Sequence, residues 1–413
     1  MIALNALSQT AAMGIGLLVQ TVYIVAVART LSISEFGQFN LVFAIIQILF
    51  LGGDLGIHNT ALRRIAKDQE HSQSTFQRFL FLKILLALFG FAVSVAIAFF
   101  LGGRDPGLGL CMFWFGVGLF SQSLGMAFNI AYQAHNRLYL ASFNVLTGVT
   151  AHAALGGIVL LLGGNLAWLG GAYAAAHGVA LAINILLFPK TIHPIYAPQS
   201  SGTCEFALHS IPVGIGSLLE SLTARLGIVL LAFFAGEEAT GIFSAAGRIT
   251  GAMRNLPLGI FSAVLPVMAA TSDPAAVRRV FARYTKVALG LAALTVVPLW
   301  MGSDFLIAFL YKPEFGESSA VLRILVASLP LLFVSGGLAH LLLSRKRLVG
   351  RHPWIAAAGT LSTILLYSLL VPRWGALGAA WAQLATEGVV LCAYLTGVGS
   401  YLLGRSGSRD SSP

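Results

Sequence analysis

Between Ser217 and Pro266 four charged residues stand inside apolar sequence. Glu220 and Arg225 lie in one run, Arg248 and Arg254 in the next, with Pro257 and Pro266 beyond. The two runs are apolar enough to cross a membrane twice. A charge at bilayer depth costs ~3 kcal/mol or more unless it faces protein, water or a counter-charge. Three arginines there imply an aqueous, cationic interior, which suits an anionic solute such as a lipid-linked phosphate. Arginine forks bind phosphate oxygens bidentately, which gives this residue type a chemistry that lysine lacks. A second reading stays open: each arginine can serve as glue between helices, paired with Glu220, Glu387 or backbone carbonyls. Glu220 reads as the counter-ion of an arginine, with a proton or sodium site as the alternative.

Polar residues elsewhere recur at helical spacing and extend the same picture. Gln9, Met13, Gly16, Gln20 and Tyr23 form one mixed stripe. Asn40, Gln47 and Asp54 fall seven apart on one face, and Ser244, Arg248, Gly251 and Asn255 share another, from which Arg254 points away. These faces are expected to line a common lumen, to which Gln20, Gln47 and Asn255 bring hydrogen-bonding groups for substrate. Asp54 joins Glu220 as a candidate for ion coupling or charge pairing, the ion being H+ or Na+. Arg29 ends the first apolar run, where it snorkels to headgroups or meets substrate; Arg323 is placed to snorkel too.

The elements that must position these residues follow from composition. The chain has 413 residues, of which 57% are hydrophobic and only 10% charged. Soluble domains average about 25% charged residues, so this is a polytopic membrane protein. A span needs about 20 apolar residues. Twelve are expected, at 8–28, 38–57, 82–101, 108–131, 140–162, 166–188, 206–235, 239–270, 285–303, 318–343, 354–371 and 375–397, the eighth kinked or broken by proline. With the N-terminus cytoplasmic, 17 of the 25 lysines and arginines fall on the cytoplasmic side. Arg63, Arg64, Lys67, Arg78 and Lys83 lie in one connection, Arg278, Arg279, Arg283 and Lys286 in another, and Arg345, Lys346, Arg347 and Arg351 in a third. Only Arg29, Arg104, Lys312 and Arg373 fall opposite, and four lie within spans. That bias fits twelve spans with both termini inside, and the basic clusters suit anionic phospholipid heads. Cys111, Cys204 and Cys392 lie far apart and suggest neither disulfides nor a metal cluster. The start of the chain lacks a basic leader, so the first helix is expected to be retained. A phosphate-binding G-x-x-x-x-G-K-[ST] loop does not occur, which leaves no ATP site, and no cofactor is expected.

Weak internal matches recur in collinear order at similar offsets. L-G-G-A-Y-A at 169–174 pairs with L-G-A-A-W-A at 377–382, Gly14-Ile15-Gly16 with Gly214-Ile215-Gly216, and Arg137-Leu138 with Arg347-Leu348. Six spans separate the copies, so both halves share one topology. The expectation is an all-α integral membrane protein of about twelve helices in two six-helix lobes, related by a parallel pseudo-twofold repeat. The lobes are 1–200 and 201–403, followed by a disordered cytoplasmic tail at 404–413. Transporters built from such repeats place their substrate near midplane between the halves.

A-R-T-L-S-I-S-E-F-G-Q-F from Ala28, with D-L-G and an arginine-containing exit by Ala66, resembles the opening of bacterial polysaccharide-biosynthesis membrane proteins. These are the oligosaccharide-lipid flippases of the multidrug/oligosaccharidyl-lipid/polysaccharide exporter superfamily. T-G-I-F-S-A-A-G-R-I at 240–249, L-Y-K-P-E-F at 310–315 and W-G-A-L-G-A-A-W-A at 374–382 are similar to later family patterns, so the resemblance covers most of the chain. Arg29 and Arg248 sit inside the matching motifs. The resemblance implies a V-shaped bundle with a central cavity and alternating access, in the bacterial inner membrane. It implies transfer of undecaprenyl-diphosphate-linked oligosaccharide to the periplasmic leaflet for O-antigen, capsule or exopolysaccharide assembly. Polymerase and chain-length proteins of that pathway are the implied partners; nucleic acid is not. A cation or drug antiporter of the same superfamily is the first alternative, but it wants acidic residues in the lumen. A membrane enzyme of polysaccharide assembly is the second, and it lacks a sizeable extramembrane loop or a D-x-D site.

Overall fold

The computed structural model describes residues 2–54, 56–67, 72–191, 203–254, 256 and 274–402. Asn255, Pro257, Pro266 and the tail expected to be disordered lie outside the described residues. The chain divides into two compact units, Met1–Leu218 and Leu219–Pro413, with the boundary inside a helix. Among the described residues all regular structure is helical.

The first unit contains α1 (Ile2–Thr30), α2 (Ile33–Gly52), α3 (Ile57–Lys67), α4 (Ser72–Gly102), α5 (Pro106–Ala134), α6 (Leu138–Leu161) and α7 (Leu166–Thr191). Local chemistry sets their starts. Ser32 accepts from the Glu35 amide while the Glu35 carboxylate accepts from the Ser32 amide, a capping box that separates α2 from α1. Asp105 caps α5 and Pro106 opens it, where a missing N–H costs nothing. α5 packs on α4 and α7, and α6 on α1 and α7. The connection expected between the second and third spans contains α3, which is amphipathic. Its Ile57, Ala61 and Ile65 join Phe76, Phe79, Ile130, Tyr132 and Phe188 in one core cluster, while Arg63 and Lys67 stay exposed.

The second unit contains most of α8 (Thr203–Met253), then α9 (Pro274–Met301), α10 (Ser303–Leu310), α11 (Ser318–Ala327), α12 (Leu329–Leu343), α13 (Lys346–Val349) and α14 (His352–Leu402). The expected tenth span is divided at Ser328, just before Pro330, which cannot donate to a continuing helix. Val277, Leu338, Leu341, Leu342, Ile355, Tyr394 and Val398 form the core where α9, α12 and α14 meet. Arg323, placed by its sequence to snorkel, pairs with Asp304 and lies 5.9 Å over the Trp300 ring. Hydrogen bonding from Ser319, then the Arg323 charge, holds the Asp304 carboxyl below its ordinary range.

Two runs are hairpins. α14 breaks at Gly375, whose φ of 52° and ψ of −128° fit no helix. Residues 370 and 378 of a straight helix would lie ~12 Å apart along its axis. Instead, a Cβ on Gly378 would come 2.3 Å from the Leu370 carbonyl oxygen. The far ends also meet: the Tyr394 hydroxyl is 3.4 Å from His352 Nδ1, and the Arg351 guanidinium donates to the Gly397 carbonyl at 2.5 Å. α8 breaks likewise at Gly236, with φ 82° and ψ −173°. Arg225 before this break is within electrostatic reach of Arg248 and Arg254 after it, residues that ~35–45 Å of straight helix would separate. Among the described residues ten helices are long and apolar enough to cross a membrane. Two of the ten are these hairpins, so the structure is consistent with twelve spans.

Besides its buried apolar cores, the protein exposes many large apolar side chains and buries polar ones. Phe99 is 80% and Leu161 89% exposed, whereas Lys83, Ser94, Asn129 and Asn184 are buried. Apolar faces turned outward and polar groups turned inward are what a lipid solvent selects.

The hairpin turn of α14 leaves no room at Gly378 and open space at Gly388. Gly378→Ala is therefore expected to cost about 1–3 kcal/mol through backbone displacement, while Gly388→Ala is neutral or slightly stabilising. Thermal unfolding midpoints of the purified variants check this; equal midpoints would contradict the folded-back geometry.

Candidate functional site

The second unit gathers most of the charges that the sequence singled out. Arg225 is on the first arm of α8 and Arg248 on the second, both half-buried, and Arg254 follows the helix end. Arg225 neighbours Arg248 and Arg254 electrostatically, so the three form one cationic group. Arg254 donates to Glu387 on the second arm of α14. Tyr367, on the first arm of α14, is buried beside that pair. Its ring fills the space that a side chain at position 227 would need, 2.7 Å from a Cβ built there. Tyr311 donates its hydroxyl to the Ala245 carbonyl at 3.1 Å and is the aromatic neighbour of Arg248. Ser318 fastens the same arm by donating to the Ile242 carbonyl at 2.8 Å. Thr223 and Thr360 share a 2.8 Å hydrogen bond between α8 and α14. Such hydroxyl contacts tie helices together where lipid offers no hydrophobic drive.

Among the contacts of this group, Arg254 pairs with a carboxylate. Glu387 serves Arg254. Glu220 is 67% exposed and lies 3.8 Å from His352, with Glu387 within its electrostatic reach. Among the described residues the basic side chain it pairs with is thus a histidine, not an arginine. Ser244, on the same arm as Arg248, is buried with its hydroxyl unpartnered. The three guanidinium groups, with Tyr311 beside Arg248 and Tyr367 beside Arg254, present donors and positive charge. That combination can hold an anion and repels a cation.

The remaining candidates lie in the first unit. Gln20 and Gln47 are half-buried on α1 and α2, and Arg29 is exposed in the last turn of α1. The expected stripe on α1 does not stay together: Met13 is exposed, while Tyr23 is buried against α6. Asn40 is also buried, donating to the Phe36 carbonyl at 2.7 Å. Asp54 lies 3.5 Å from Lys83, which also donates to the Gly53 carbonyl at 3.2 Å. Lys83, read from the sequence as part of a basic connection, is buried within α4 and 5.7 Å from the Phe50 ring centroid. Asp54 is its counter-ion. Burial holds the nearby His58 imidazole below its ordinary value, with Lys83 adding to this effect and Asp54 opposing it. Stability from a neutral His58 is present at high pH and is lost as pH falls below about 6.5, where the unfolded imidazole takes up its proton. Among the described residues no three His, Cys, Asp or Glu side chains converge as metal ligands.

Sequence reasoning passed over Tyr311 and Tyr367 as parts of the site. Tyr311 lies inside the quoted L-Y-K-P-E-F pattern, which was a signal; Tyr367 sits in a uniformly apolar run, which was none.

Residues 2–272 match the family described as polysaccharide biosynthesis protein. No curated protein matches the chain in sequence. Solved structures share its fold. An inward-facing multidrug resistance MATE family transporter of the MOP superfamily gives a TM-score of 0.79 at 16% identity, covering 95% of this chain and 96% of that one. The lipid II flippase MurJ, in an inward closed conformation, gives 0.78 at 13% identity over 95% of this chain and 88% of that one. A MOP superfamily transporter from Pyrococcus furiosus, described as having a binding pocket of reverse polarity that suggests a different function, gives 0.67 at 18% over 96% and 95%.

The Lys83–Asp54 pair predicts an asymmetry. Asp54→Asn strands a buried ammonium and is expected to cost ~2–3 kcal/mol, whereas Lys83→Met removes the charge itself and costs much less. Adding Lys83→Met to Asp54→Asn should recover the loss. Unfolding midpoints decide; an Asp54→Asn protein as stable as wild type would show that Lys83 has other compensation.

Proposed function

The chain belongs to the polysaccharide biosynthesis protein family, and from that premise we propose that it is a flippase for undecaprenyl-diphosphate-linked oligosaccharide. It works in the bacterial inner membrane with both termini cytoplasmic, and moves the headgroup to the periplasmic leaflet by alternating access. The observation that carries this reading is the cluster of Arg225, Arg248 and Arg254, with Glu387 paired to one of the three. A diphosphate headgroup is anionic and polar, and its passage through hydrocarbon unaided is prohibitive. Planar guanidinium forks replace its lost water bidentately, while sugar hydroxyls meet neutral side chains such as Gln20 and Gln47. The lipid tail stays in the bilayer. Fold does not separate this reading from a multidrug antiporter, since both kinds of protein share it; the positive sign of the intramembrane charge supports the flippase reading. Net movement draws on an ion gradient or on removal of product by the polymerase and chain-length proteins of the pathway.

Complementation of a flippase-deleted host tests the proposal. Wild type is expected to restore surface polysaccharide, and Arg225→Ala and Arg248→Ala to abolish it at equal membrane levels. Arg→Lys at either position should restore part of the export, because charge remains without the fork. Full export by both alanine variants would remove the arginines from substrate binding. Transport of an organic cation, insensitive to Arg248→Ala, would favour the antiporter.

A further inference from the structure

The core of the first unit holds polar side chains that the arginine cluster does not explain. Tyr23 on α1, His152 on α6 and Tyr173 and His177 on α7 stack edge to face. Ring centroids are 4.8 Å apart for Tyr23 and His152, 5.1 Å for His152 and Tyr173, and 4.4 Å for Tyr173 and His177. Tyr23, His152 and Tyr173 are buried, and His177 is half-buried. Tyr173 donates to Gln122 Oε1 at 2.7 Å. Among the described residues neither the Tyr23 hydroxyl nor His152 Nε2, both sealed from solvent, has a hydrogen-bond partner. A buried polar group left in that state costs about 1–3 kcal/mol. Here a hydroxyl and an imidazole nitrogen go unsatisfied on touching rings.

We propose that His152 and His177, with the Tyr23 hydroxyl, form a proton-binding site whose occupancy is tied to the packing of α1 and α7 on α6. Imidazole is the side chain whose charge changes near physiological pH. The groups facing His152 are Tyr23 from α1 and Tyr173 and His177 from α7; Cys111 of α5 neighbours Tyr23. None is a carboxylate, so an imidazolium in this packing has no counter-charge. The proton comes from water onto a ring nitrogen and is held only when the helices part enough to admit water. The contact that must loosen is close: a Cβ on Gly156 would lie 2.4 Å from the Tyr23 hydroxyl. His177, half-buried, is the way in. A site that holds a proton in one packing and releases it in another is what a proton-coupled transporter requires. The inference rests on the transport reading only for what the proton drives.

Cys111 reports on this packing, because it is buried in α5 and its carbonyl would lie 2.9 Å from a Cβ on Gly170 of α7. Full-length protein carrying Cys204→Ala and Cys392→Ala, in nanodiscs without substrate, is labelled with N-ethylmaleimide at about pH 8 and about pH 5.5. The rate is compared with that of His152→Gln at each pH, which cancels the intrinsic pH dependence of the thiol. The expected result is a ratio near one at the higher pH and about tenfold faster labelling of the histidine protein at the lower. A ratio that is the same at both values overturns the proposal, since a merely structural histidine shifts labelling equally. If His152→Gln does not insert, His177→Gln is held to the same comparison. Substrate is not needed, so failure here leaves the polysaccharide assay standing, and failure of that assay leaves the proton site standing.

Discussion

Charge in hydrocarbon is the constraint on which the second unit depends. Every guanidinium taken from water must be met by a carboxylate, a carbonyl, a hydroxyl or a ligand. Glu387 meets Arg254 directly. Arg225 and Arg248 stand near one another, and Arg225 near Arg254, so like charges share one region of the fold. A protein that merely needed stable helices would do better with apolar residues at these positions. Keeping three cations together is costly, and the proposed diphosphate substrate would offset that cost.

Glycine breaks make that grouping possible. Arg225 and Arg248 lie on one helical run in sequence, yet only because Gly236 turns the chain do its arms lie side by side. Gly375 does the same for α14 and brings Glu387 back toward Tyr367 and Arg254. Both glycines have positive φ values that an L side chain rarely adopts, and both have open space around a would-be Cβ. Backbone conformation, not crowding, is what demands glycine there. The first unit uses different means: a capping box, an Asp-Pro start and an amphipathic α3 set its helix ends, and its buried polar groups are mostly neutral.

The sequence was most legible where it broke its own pattern. Charged residues stood out against apolar runs, so Arg225, Arg248 and Arg254 could be named at once. Glu387 could be named as a possible partner. The breaks near 236 and 375 fall at the limits of the expected spans, which end at 235 and 371 and resume at 239 and 375, and the all-helical membrane fold followed from composition. Pairings across distance were not visible. Lys83 looks like any basic residue before a span, and only the fold buries it beside Asp54. Tyr23 fits a polar stripe by spacing but turns inward. His152 and His177 carry no motif and become neighbours only because α6 and α7 pack together. Helical periodicity tells which residues share a face, but not what that face meets.

The central claim is that the cationic group of the second unit recognises a lipid diphosphate. It is tested most directly by ligand-induced stabilisation of the purified protein, using farnesyl diphosphate, farnesyl monophosphate and farnesol. The account predicts a rise in unfolding temperature that is largest for the diphosphate, falls with added salt, and vanishes in the Arg225→Ala/Arg248→Ala double variant. An equal rise for farnesol, or an undiminished rise in the double variant, would contradict it.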